Sequence, residues 1–171
     1  MNFSCSIEAQ ELQKIVLQFL QRFNVNEEKV SLIEFTWRKT QVMLEIGVAD
    51  GLTFNYLNRE VLEDCLKVIS KSALSILDLL FVVRYYIIKD AERKPLKFDY
   101  YLVRFTFGEN EIKMFVHHEK GPRHLPVDEL MKFLYTKINC ELRSKNIDPM
   151  TLVSIQTVGT DELAEYRLFN P

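Results

Sequence analysis

Residues 79–88, LLFVVRYYII, decide the fold of this 171-residue chain. Taken at helical spacing, Leu62, Leu66, Ile69, Ala73, Ile76, Leu80, Val83 and Ile87 keep alternating four- and three-residue steps. One helix running from Asn58 to about Asp90, with a coiled-coil-like seam, satisfies that pattern. Taken as sheet, the same ten residues are mostly β-branched or aromatic, types that crowd a helix and suit a pleated surface. They are apolar on both faces, as in a central strand covered on each side. The sheet reading is preferred. It gives a helix capped by Asn58 through REVLEDCLKVISKSALSIL, then a strand over 79–89.

Downstream of this strand the pattern is plainer. DAERKP is a loop. In LKFDYYLVRFTF, Tyr101, Val103, Phe105 and Phe107 alternate with Tyr100, Leu102, Arg104 and Thr106. GEN turns the chain, and EIKMFVHH returns with Ile112, Met114 and Val116 on one face, which makes a hairpin. Pro126 suits the first turn of a further helix, and Asp128 and Glu129 favour its positive end. Its apolar stripe is Val127, Leu130, Met131, Leu134, Ile138 and Leu142. KNIDP ends it, MTLVSIQTV is a last strand, and GTDELAEYRLFNP is a tail or short helix.

Upstream, residues 6–24 form an amphipathic helix that Ser6 can cap, with Leu12, Ile15, Val16, Phe19, Leu20 and Phe23 as its stripe. KVSLIEFTWRK and QVMLEIGVAD form a second hairpin. In its second run Val42, Leu44, Ile46 and Val48 are the core face. Glu34 and Glu45 can face each other across it, although Arg38 and Lys39 nearby make a solvated face the simpler reading. No Gly, Ser or Pro linker divides the chain. The expected fold is α+β, a single domain over 1–171, with a mainly antiparallel sheet of about six strands and three principal helices packed on it. A hairpin–helix–strand order recurs over 30–88 and 98–158, without matching residues.

Composition narrows the setting. An apolar fraction of 47% with 27% charged residues is that of an ordinary globular domain rather than a disordered chain. Cys5, Cys65 and Cys140 lie far apart with no C-x-x-C pair, which fits free thiols in a reducing cytoplasm. The most apolar run is too short to span a bilayer and contains Arg84, and no signal-peptide pattern opens the sequence. Residues 84–145 carry 13 basic and 9 acidic side chains, a surplus of four that suits an anionic partner. It falls well below the balance of a dedicated nucleic-acid binder.

All three histidines lie in MFVHHEKGPRHLPVDEL, residues 114–130. In a strand His117 and His118 point to opposite faces, so they cannot share a site while the strand persists. H-H-x(5)-H, even with Glu119, matches no metal motif, and no cofactor fingerprint is present. Anion binding is better motivated: Lys120, Gly121, Arg123 and His124 lie just before a helix N-terminus. Pro126 removes one amide there, and the bland reading is a solvated connection. The candidate ligand residues are therefore His117, His118, Lys120, Gly121, Arg123 and His124. A strand-borne histidine pair with Tyr135 on the next helix evokes a nuclease, but the His–hydrophobic–His order is missing. The aromatics of KFDYYLVRFTF are better placed in a core than in base stacking. Cys65 and Cys140 lie in helices near apolar residues, with nothing to activate them.

The sequence therefore points first to a non-enzymatic binding or protein-interaction module. The alternative is an enzyme or binding protein for a phosphorylated or nucleotide-like ligand at 117–124, with His117 or His118 as acid or base. The apolar excess over 73–88 exceeds what one sheet face hides, so a homodimer is expected to bury part of it.

Overall fold

The computed structural model describes residues 1–25, 40–89 and 92–156. The chain is α+β. Its elements are β1 (Asn2–Ser4), α1 (Ala9–Val25), β2 (Thr40–Ala49), β3 (Phe54–Tyr56), α2 (Arg59–Lys71), β4 (Ile76–Lys89), β5 (Glu92–Phe107), β6 (Glu111–Lys120), α3 (Val127–Ser144) and β7 (Thr151–Ser154). The seven described strands form one sheet in the order β3-β2-β4-β5-β6-β1-β7. Every pairing is antiparallel.

Residues 79–88 are strand, at the middle of the sheet between β2 and β5. The preceding helix stops at Lys71, earlier than its apolar spacing suggests. Ser72 is already extended, and Leu77 is claimed by the ladder opposite Phe105. Asn58 does cap α2, its side chain accepting from the Val61 amide at 2.9 Å. On β4 the odd residues Leu77, Leu79, Phe81, Val83 and Tyr85 are buried against the helices, with Tyr101, Val103 and Phe105 of β5 beside them. The whole expected stripe of α1 is buried with them, as are Leu130, Leu134, Ile138 and Leu142 of α3. A central strand covered on both faces was expected; among the described residues, the helices cover one.

Three amide side chains on the helices bind strand or connecting backbone as ladder partners would. Gln13 donates to the Leu74 carbonyl at 2.7 Å and accepts from its amide at 2.9 Å. Asn24 grips Ile46 in the same two-way fashion at 2.7 and 2.9 Å. Asn139 does so with Met150 at 3.1 and 2.8 Å. Each pair satisfies backbone groups that would otherwise be buried without partners.

Some details depart from the sequence reading. Residues 92–95, expected in a loop, open β5 and pair with Tyr86–Lys89 of β4, because the long apolar strand offers ladder partners up to Lys89. α1 begins at Ala9 rather than at Ser6, with the Glu8 carbonyl accepting the first helical bonds. Two of the seven described strands come from residues too few to show a period: β3 pairs with the end of β2, and β1 slips between β6 and β7, where its Phe3 stacks on Tyr135 at 5.2 Å. The run 29–39, the tail 159–171 and Glu34 lie outside the described residues. Glu45 pairs with Arg84 at 2.7 Å.

Candidate functional site

The end of the β5–β6 hairpin and the loop into α3 close around one carboxylate. Asp99 has the parity of Tyr101, Val103 and Phe105, so it points into the core and is fully buried. A buried charge needs partners on each lone pair, and Asp99 has them. Its Oδ1 lies 3.0 Å from Nε2 of His118 and accepts the Arg123 amide at 2.7 Å. Its Oδ2 accepts the Tyr85 hydroxyl at 2.8 Å and the His124 amide at 2.9 Å. Burial alone would raise the Asp99 pKa. The bonds from His118, Tyr85, Arg123 and His124 outweigh it and hold the carboxyl below its ordinary value. Since an ionised carboxylate only accepts, the proton of the contact sits on His118 Nε2. Burial, followed by the same carboxylate, pushes the Tyr85 phenol up, so it stays a donor.

Local backbone makes this possible. The pairing steps from Tyr101 opposite His118 to Tyr100 opposite Lys120, leaving Glu119 as a bulge that re-aims the strand end. Gly121 has a φ of 116° and Arg123 one of 57°. A Cβ at Gly121 would overlap the Phe98 carbonyl and the Asp99 carboxylate, so the loop closes over Asp99 because residue 121 has none. The Tyr101 hydroxyl donates to the Leu125 carbonyl, and the rings of Tyr85 and Tyr101 meet His124 and His118 edge-on at 5.3 and 5.0 Å.

The six residues singled out in the sequence thus divide. His118 faces inward, its side chain 13% exposed, and anchors the loop. His117 faces the other side of the sheet, 3.6 Å from Glu119. Lys120, Gly121, Arg123 and His124 are exposed, with the Arg123 and His124 amides directed at Asp99. Asp99, Tyr85 and Tyr101 complete the cluster. The first of these carried a signal in the sequence, a lone carboxylate at core parity in an aromatic strand. Tyr135 is half-buried against Phe3 and donates to the Met150 carbonyl at 3.3 Å. Cys5 is buried, Cys65 half-buried and Cys140 exposed. Among the described residues no three His, Cys, Asp or Glu side chains converge as a metal cage requires, and no helix is long and apolar enough to cross a membrane.

Comparison with known protein families, curated proteins and solved structures finds no match to this chain.

Proposed function

We propose that this protein is a non-enzymatic interaction module of the cytoplasm that works as a homodimer. The observation that carries the reading is the second face of the sheet. Leu80 and Val82 of β4 and Leu102 of β5 lie opposite the helix-packed face, and no described helix covers them. These half-buried apolar side chains adjoin one another at the centre of that face, and a second chain laid on them would complete their burial. Unfolding of the full chain, followed over a range of protein concentrations, tests it. A dimer melts at higher temperature as concentration rises, whereas a melting temperature that does not move rules self-association out.

A second reading has its own support. The Asp99 cluster fixes the 117–124 loop while Lys120 and Arg123 remain exposed on it. Two cations on a preorganised loop suit a phosphate or a nucleotide-like ligand, and binding sites on such rigid supports lose little entropy on loading. In that reading His117 is the exposed acid or base, and His118 holds the loop. A thermal-shift screen with inorganic phosphate and nucleotides tests it. A melting temperature unchanged by all of them removes it.

A further inference from the structure

We infer that two copies of this chain meet through the sheet face opposite the helices, with β4 and β5 at the centre of the interface. This rests on the self-association proposed above and adds the two-fold arrangement and register of the contact. Two observations favour a second copy over a charged partner.

The first is charge. Each ionic group at the middle of this face is already met by its own chain. Arg84 binds Glu45 at 2.7 Å and lies over the Phe98 ring at 5.1 Å, and Arg104 grips Asp78 through two bonds at 2.6 and 2.7 Å. Toward the β6 side Lys113 is 3.4 Å from Glu111 and His117 3.6 Å from Glu119. A face so neutralised gains nothing from an acidic or basic partner, and complements a surface equally neutral and apolar at its centre, its own.

The second is size and arrangement. The central residues are direct cross-strand partners, Leu80 opposite Leu102 and Val82 opposite Tyr100. Four strands, β2, β4, β5 and β6, about 4.8 Å apart and over the 10 residues of β2 and β6 at about 3.3 Å each, project roughly 630 Å². With side-chain relief this reaches the roughly 800 Å² per partner of a stable interface. A two-fold axis lying across the strands at Phe81 exchanges Leu80 with Val82 and Asp78 with Arg84. It sets Leu80 of one copy against Val82 of the other, and Arg84 of each over Asp78 of the second. Two sheets then stack with their apolar centres together, as in a β-sandwich.

Thiol labelling of a Val82→Cys variant of the full chain tests the surface with little change in side-chain size. Maleimide modification at residue 82 is expected to slow about tenfold as protein concentration rises through the dimerisation range, because only free monomer reacts. The exposed Cys140 serves as internal control, its rate constant throughout. Val82→Arg is expected to weaken the dimer by at least about thirtyfold, the scale of an interface hot spot, while Val153→Arg on β7 leaves it intact. A dimer whose residue 82 reacts at one rate at every concentration overturns this surface and leaves self-association standing. A chain that stays monomeric overturns both.

Discussion

Nε2 of His118 lies 3.0 Å from Oδ1 of Asp99, and the same carboxylate holds the two amides, of Arg123 and His124, that lead the chain into α3. A strand end, a bulge, a loop and a helix start are thereby tied to one buried anion. The loop that seemed most available for an external anion has its inward amides aimed at an internal one. Only its outward side chains are left to meet a ligand.

Removing that anion is expected to be costly. Asp99→Ala leaves the Tyr85 hydroxyl and two amides without acceptors and His118 without its partner. A loss of about 3–5 kcal/mol is expected in urea unfolding, within the range for breaking a buried charged contact. A loss below about 1 kcal/mol would mean that the loop does not depend on Asp99.

The same group sets an acid limit. Its folded-state pKa lies below the ordinary carboxylate value of about 3.9, so on acidification the unfolded chain takes up the proton first. The Asp99 contribution to stability is complete above that value and drains away as pH falls through the lower, folded-state pKa. Melting temperatures measured from pH 6 down to about pH 3 should fall more steeply in the wild type than in Asp99→Asn, which has no charge to lose there. Parallel curves would assign the acid sensitivity to other carboxylates, Asp50 first among them. Its pKa is held down to about 2, chiefly by the Thr53 and Leu52 amides and the Asn55 side chain.

Gly121 and Gly51 separate backbone strain from crowding. Both have positive φ, 116° and 98°. Nothing lies within 4 Å of a Cβ added at Gly51, whereas one at Gly121 strikes Phe98 and Asp99. Gly51→Ala is expected to cost about 1 kcal/mol, the conformational penalty alone. Gly121→Ala is expected to cost more than about 2 kcal/mol and to weaken the His118–Asp99 contact, visible as a shift of the His118 ring resonances. Equal costs at the two positions would show that the loop relaxes away from Asp99.

Lys120 and Arg123 distinguish a ligand loop from a plain connection. Their side chains are exposed, so a Lys120→Ala/Arg123→Ala variant should melt within about 2 °C of the wild type. On the phosphate reading it should also lose any stabilisation that inorganic phosphate gives. Retained stabilisation would put the phosphate elsewhere.

Much of the fold was legible because the physics that builds it is local and periodic. The alternation in Tyr101–Phe107 and Ile112–Val116 follows from strand geometry, and Leu12–Phe23 from helix geometry. The density of β-branched residues in 79–88 outweighed the helical spacing that 62–87 also satisfies. What escaped was non-local. Nothing within Asn2–Ser4 says that Phe3 completes a sheet between two distant strands, and only the paired chain explains why Gln13 and Asn139 are buried. At the candidate site, the alternation rule separated His117 from His118. Asp99 was overlooked because a single polar residue in an aromatic strand reads as an edge until its parity is compared with its neighbours.

Sedimentation equilibrium of the full chain tests the central proposal most directly. Self-association predicts a mass approaching twice the 20.2 kDa of one chain as concentration rises through the micromolar range, returning to one chain on dilution. A mass of 20.2 kDa at every concentration would contradict it.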